Sequence, residues 1–217
     1  MITVLLDKAE FEYDIHSLVK AFYPKEEVYV STKDKEKKEE PVHYHMDVQF
    51  APEEIIFSWK RVEASEDNAN QTGITKCVAV DYTNRKETKN SLKRTLYRLL
   101  SEYTGVELPW GNLTGIRPTK IPMALLEEGK SEEEIAHYMK ETYFASDEKI
   151  KLSIEIAERE LELLHKLDYE EGYSLYIGIP FCPTTCLYCS FTSYSMSAWK
   201  NRMDDYLSAL EKELDYT

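Results

Sequence analysis

The apolar residues between positions 1 and 105 follow two spacings, which together predict a small α+β domain. Every second residue from 42 to 50 is apolar, and this alternation is the pattern of a strand with one buried face. Shorter β-rich runs predict further strands at residues 2–6, 28–30, 55–59 and 76–82.

Two helices complete this domain. Residues 13–22 place Ile15, Leu18 and Phe22 on one face of the first helix, and Pro24 ends it. The second helix carries its apolar stripe at Leu92, Leu96, Leu99, Leu100 and Tyr103. Gly105 follows where a left-handed cap belongs, so residues 1–105 are predicted to form the amino-terminal domain.

Residues 106–170 are predicted to be a loop followed by a helical connector. The loop, residues 110–120, is rich in Gly, Pro and Thr. Pro122 suits the first turn of a helix that ends at Gly129, Ser131 opens a capping box, and Ser146 caps a third helix. The apolar stripe of that third helix is Ile150, Ile154, Ala157, Leu161 and Leu164.

Three polar groups in these regions invite a functional interpretation, but a structural one is favoured for each. His43, His45 and Asp47 share the outer face of the alternating strand and could bind a transition metal. A solvated face is the commoner arrangement. A solvated face is also favoured over an anion-binding site for the basic residues Lys89, Lys93, Arg94 and Arg98. Trp110, Arg117 and Lys120 could bind substrate carboxylates or dock two domains, and docking is favoured.

Charge and composition narrow the range of partners. The chain has 217 residues and a net charge of -13, which argues against nucleic acid because that partner requires a basic footprint. No apolar run approaches the length of about 18 residues that a membrane span needs. The first residues lack the basic segment of a secretory signal. We therefore expect a cytoplasmic protein without a membrane span.

Residues 171–217 carry the most specific chemistry. A predicted strand at 173–179 runs into Cys182, Cys186 and Cys189, and a final helix follows, capped by Ser195 or Ser197. Thiolates are the soft ligands of iron–sulfur clusters, and one short loop can reach three corners of a cube. Three ligands leave one iron open to bind a small molecule, which indicates redox chemistry.

Zinc binding and disulfide formation are the two other interpretations of the cysteines. A structural zinc site, in a zinc-stabilised interaction module, needs a fourth ligand, and Cys77 or a histidine would have to come from far away in the sequence. A disulfide is disfavoured because a reducing cytosol is expected and the chain has only four cysteines.

The cysteine spacing carries a resemblance to a known family. Cys-x-x-x-Cys-x-aromatic-Cys at 182–189 resembles the radical S-adenosylmethionine superfamily. The residues before it, Tyr-Ile-Gly-Ile-Pro-Phe-Cys at 176–182, resemble the oxygen-independent coproporphyrinogen III oxidase group. Residues 108–121, LPWGNLTGIRPTKI, are similar to the HemZ-type coproporphyrinogen dehydrogenases within that group.

This resemblance implies a cofactor set and a reaction. Cys182, Cys186 and Cys189 would hold a [4Fe–4S] cluster whose open iron binds S-adenosyl-L-methionine. Tyr188 would lie by the adenine, and Tyr176 would contact the adenosylmethionine. The implied enzyme is an oxidoreductase of heme biosynthesis that converts porphyrinogen propionates to vinyls by oxidative decarboxylation. Its partners would be a porphyrinogen or heme substrate and an electron donor such as a flavodoxin or ferredoxin.

Position 191 departs from the best-known branch of the group. That branch has a further cysteine there, whereas this chain has Phe191. The heme chaperones of the group also lack this cysteine. The resemblance therefore leaves open a heme-binding or heme-transfer protein without porphyrinogen oxidase activity.

The sequence also predicts an incomplete catalytic domain. Residues 171–217 would form only the first β/α unit of a radical-SAM (β/α) barrel, and a full eight-unit barrel needs roughly 200 residues or more. We expect these 217 residues alone to be inactive and to hold a cluster weakly or not at all.

Overall fold

A computed structural model describes residues 1–32, 42–62, 73–115, 117–168 and 171–217. A five-stranded mixed sheet forms its amino-terminal part, in the order β2-β1-β3-β4-β5. The strands are β1 (Ile2–Leu6), β2 (Val28–Thr32), β3 (Tyr44–Phe50), β4 (Glu54–Arg61) and β5 (Ile74–Ala79). β1 pairs in parallel with β2 and β3, and the remaining pairs are antiparallel. The predicted α+β class is confirmed.

Two helices supply the apolar partner of this sheet. Helix α1 is Glu12–Phe22 and α2 is Arg85–Thr104. Met46, Val48 and Phe50, from the alternating face of β3, are buried in the same hydrophobic cluster as Leu92 and Leu96 of α2. Gly105 ends α2 with a left-handed backbone angle, φ 69°, as the sequence predicts.

A second hydrophobic cluster lies among the next three helices. These are α3 (Lys120–Glu127), α4 (Glu132–Tyr143) and α5 (Asp147–Leu164). Ser131 and Glu134 form both hydrogen bonds of the predicted capping box, and the Ser146 side chain accepts from Lys149 N–H. Ile135, Met139 and Ile150 are buried at the centre of the cluster.

The chain divides into two compact units, Met1–Leu167 and Asp168–Thr217. The sheet cluster and the helical cluster both lie in the first unit, and the boundary predicted at Gly105 falls between them. The second unit contains β6 (Phe181–Cys182), β7 (Tyr194–Ser195), α6 (Met196–Trp199), a 3-10 turn (Lys200–Arg202) and α7 (Met203–Tyr216).

One prediction for the second unit is wrong in this structure, and a second is confirmed only in part. Residues 173–179 do not form a strand; the strand pairing is confined to β6 and β7. A β-rich segment becomes a strand only when a neighbour satisfies its backbone groups, and the described part of the second unit offers these residues none. The barrel's first unit is therefore not seen here.

The final helix is also divided rather than continuous. Trp199 leaves helical geometry at φ -113° and ψ 7°, and its ring packs against Phe181 and Tyr194. The Ser195 hydroxyl lies 2.7 Å from the Ser197 hydroxyl and makes no capping bond to the backbone. Ser195 still stands at the N-cap of α6, and the predicted helix is present with a 3-10 turn at Lys200–Arg202 between α6 and α7.

Within the described ranges, none of the helices combines the length and the apolar character that a membrane crossing requires.

Candidate functional site

The three cysteines of the second unit lie in one closed loop, residues 181–195, called here the cysteine loop. Its ends are held by parallel pairing of Phe181 with Tyr194 and of Cys182 with Ser195. The backbone N–H of Tyr194 donates to the Pro180 carbonyl at 2.7 Å. The loop therefore begins and ends at nearly one point, and Cys186 and Cys189 lie between its fixed ends.

Four aromatic rings pack at the closed end of the loop, and we call them the aromatic base. The Phe181 ring meets the Tyr206 ring edge-on at 5.2 Å between centroids, and the Tyr194 and Trp199 rings are 5.1 Å apart. The centroids of the Phe181 and Trp199 rings are 6.4 Å apart, which connects the two pairs. The Tyr206 hydroxyl, from α7, donates to the Gly178 carbonyl at 2.5 Å.

All four cysteines of the chain are free thiols. Cys186 is exposed, and Cys182 and Cys189 are half-buried. The Cys189 backbone N–H donates to the Cys186 carbonyl at 3.0 Å, which folds these two residues into a tight turn. Cys77 is exposed on β5, in the first unit. The loop thus offers three thiols as ligands, and the fourth thiol is far away along the chain.

The donor chemistry of the loop fits an iron–sulfur cluster, because three unpaired thiols are the soft ligands that iron requires. The sulfur atoms are not gathered around one centre. Across the described ranges, no three His, Cys, Asp or Glu side chains are grouped to hold a metal ion. The cysteine loop therefore supplies a ligand set whose final arrangement would have to form with the metal.

Both tyrosines predicted to contact the cofactor are open to solvent. Tyr176 is 84% exposed and Tyr188 is 90% exposed. Tyr188 lies within the cysteine loop, and Tyr176 lies before β6. Their roles at a cofactor stay predictions.

His43, just before β3, and His45, within it, contact separate partners. His45 Nε2 lies 3.1 Å from Asp47 Oδ2, whereas His43 Nδ1 lies 3.1 Å from Glu26 Oε2. The two imidazole rings thus contact different carboxylates.

The loop at 108–114 joins the sheet cluster to the helical cluster. The Asn112 backbone N–H donates to the Tyr143 carbonyl at 2.8 Å, and its side-chain amide donates to the Thr142 carbonyl at 3.1 Å. The Ser146 N–H donates to the Pro109 carbonyl at 2.9 Å. These bonds hold the loop against the end of α4 and the start of α5, and the docking role of Trp110, Arg117 and Lys120 stays a prediction. The sequence analysis missed Asn112, although the Pro-Trp-Gly-Asn turn signal lay beside it.

Lys93 is the one member of the basic group for which the predicted solvated position is wrong. Its side chain is buried, with the residue 7% exposed, and Nζ donates to Thr114 Oγ1 at 3.1 Å. Burial lowers the pKa of the Lys93 ammonium to about 8, with Asp14 opposing the shift and Lys89 adding to it. The burial arises from the packing of α2 against the 108–114 loop, which helical periodicity does not reveal.

No family model matches the chain. The chain is 39% identical over 144 residues to the oxygen-independent coproporphyrinogen-III oxidase-like protein HemZ of Bacillus subtilis. The predicted resemblance to HemZ is confirmed. The match covers 64% of this chain and 29% of HemZ, so the chain spans less than a third of that relative's length.

Proposed function

We propose that these 217 residues supply the cluster-binding loop of a radical S-adenosylmethionine oxidoreductase of the HemZ type. One observation carries the proposal: three free thiols lie in a single closed loop of a chain that is 39% identical to HemZ over 144 residues. A zinc module would instead need a fourth ligand, and the fourth cysteine lies in the other compact unit.

The residues that would hold the cofactors are those that the sequence singles out. The thiolates of Cys182, Cys186 and Cys189 would bind a [4Fe–4S] cluster, and Tyr176 and Tyr188 would contact S-adenosylmethionine. When bound, the cluster supplies one-electron reduction of that cofactor. Cys186 and both tyrosines are exposed, so each is accessible to a cofactor from solution.

The substrate is proposed from the name of HemZ. We assign oxidative decarboxylation of porphyrinogen propionates, in heme biosynthesis in the cytoplasm, to the full-length protein, meaning a chain of HemZ's length that contains these residues. The match covers 29% of HemZ, and the other contacts to substrate are proposed to come from the rest of a chain of that length. An electron donor such as a flavodoxin or ferredoxin would reduce the cluster.

A second function is favoured by one residue. Phe191 is 78% exposed at the position where the best-known oxidases carry a further cysteine. Heme binding or heme transfer, without porphyrinogen oxidation, would suit a loop that lacks that thiol.

The two functions are separated by assaying the full-length protein without air. The protein is supplied with coproporphyrinogen, S-adenosylmethionine and a chemical reductant, and the vinyl product is measured by mass spectrometry. Vinyl formation that is lost in Cys186→Ser supports the oxidase. Stoichiometric heme binding without vinyl product would contradict the oxidase function and support heme binding or transfer.

A further inference from the structure

The cysteine loop is tied to α7 through one side chain, Tyr206. Its hydroxyl donates to the Gly178 carbonyl at 2.5 Å, and its ring meets the Phe181 ring edge-on at 5.2 Å. Gly178 and Phe181 lie on either side of Pro180, in the stretch that leads into Cys182. One tyrosine therefore contacts the entry to the loop at two points.

These two contacts are made to residues 178 and 181, in a part of the chain with little regular secondary structure. Residues 173–180 belong to no strand or helix, and Tyr176 and Ile179 are exposed. β6 is only Phe181–Cys182, so its pairing with β7 is short. Isolated pairs of this length are marginal in water unless side chains pack against them. The aromatic base provides that packing.

We propose that Tyr206 is a positioning residue that fixes the backbone entering Cys182 and thereby sets where the first thiol of the cysteine loop lies. The hydroxyl bond holds the Gly178 carbonyl, and the ring holds Phe181, so rotation of the intervening backbone is restricted at both ends. Cys186 is exposed in the body of the loop, beyond this restraint. The proposal rests on the proposed function, because Cys182 matters as a cluster ligand.

The same helix offers a matched control. Tyr216 lies near the end of α7 and is 94% exposed, so removing its hydroxyl changes the same chemical group without touching the aromatic base. Tyr206→Phe keeps the ring that packs on Phe181 and removes only the hydrogen bond to Gly178. This substitution is therefore expected to leave α7 folded.

The test measures thiol reactivity of the metal-free 217-residue chain. Each cysteine is alkylated under reducing conditions, and the rate at each site is read by mass spectrometry. Loss of one hydrogen bond increases a local opening equilibrium about five-fold. Tyr206→Phe should therefore speed alkylation of half-buried Cys182 by about that factor, while Cys186 and Cys77 change less than two-fold. Tyr216→Phe should leave all rates unchanged, and far-ultraviolet circular dichroism should match the parent chain.

Two results would overturn the proposal. One is an unchanged Cys182 rate in Tyr206→Phe, and the other is an equal acceleration in Tyr216→Phe. Failure of the full-length protein to bind iron is a separate outcome: it removes the proposed function, yet the Cys182 rates still decide the role of Tyr206 because they are measured on free thiols.

Discussion

The backbone N–H of Asn112 donates to the carbonyl of Tyr143 at 2.8 Å, and this bond ties the loop after α2 to the end of α4. Asn112 is buried, with 2% of the residue exposed. Next to it, Phe144 takes a left-handed angle, φ 58°, and stacks on Tyr97 of α2 at 5.3 Å between ring centroids. Residues 108–114 thus form a structural joint between the two hydrophobic clusters.

The joint depends on a glycine, which gives a first prediction. Gly111 has φ +56°, and a Cβ there would collide with the Tyr143 carbonyl and the Phe144 backbone. Gly111→Ala should lower the free energy of unfolding by about 2–4 kcal/mol, because a left-handed alanine and a displaced backbone are both costly. Urea unfolding followed by circular dichroism measures the change.

The matched control for that substitution is Gly115→Ala in the same loop. A Cβ at Gly115 meets no atom within 4 Å, and its φ lies outside the left-handed region. We expect a change below about 0.5 kcal/mol, as for an ordinary surface substitution. Equal destabilisation by the two alanines would mean that close packing at Gly111 is not what the joint needs.

Lys93 gives a second prediction, which concerns pH. Its pKa is lowered by burial from 10.5 to about 8, so the folded chain releases this proton at a lower pH than the unfolded chain. Between these two values the unfolded state binds more protons, and stability therefore rises with pH. From pH 7.5 to 9.5 the gain should be about 2 kcal/mol. Above about pH 10 the trend reverses, because burial raises the pKa of Tyr23.

Lys93→Met should abolish this rise in the free energy of unfolding between pH 7.5 and 9.5. Lys151→Met is the control, since the Lys151 side chain is 80% exposed and its nearest carboxylate, on Glu155, is 3.9 Å away. It should keep the rise seen in the parent chain. Urea unfolding at three pH values, with a reducing agent present, tests both. A slope that survives in Lys93→Met would show that Lys93 is not the buried titrating group.

Much of the first unit could be predicted because its signals are local. The alternation through Met46, Val48 and Phe50 gives the buried face of β3, and Ser131 and Ser146 mark two helix starts by their capping chemistry. The burial of Lys93 could not be predicted, because it depends on a loop that packs against α2 from twenty residues further along the chain. The presence of a lysine on a helix does not show whether a distant loop will cover its side chain.

In the second unit, too, the sequence predicts the local motif but not the contacts that depend on tertiary packing. The spacing of Cys182, Cys186 and Cys189 predicts that they are cluster ligands, and the structure places all three in one closed loop. The strand expected at 173–179 is absent because strand formation needs a neighbour, which the sequence of the segment itself cannot provide. The helical spacing places Tyr206 on the apolar side of the final helix, but its contacts with Gly178 and Phe181 depend on tertiary packing that this spacing does not reveal.

The central claim is that these three thiols hold an iron–sulfur cluster, and metal analysis of the full-length protein tests it most directly. The protein is prepared without air, and iron, zinc and acid-labile sulfide are measured per chain for the parent, Cys186→Ser and Cys77→Ser. We predict about four iron and four sulfide in the parent and in Cys77→Ser, with a large loss in Cys186→Ser. Zinc without labile sulfide, or an equal iron content in all three proteins, would contradict the claim.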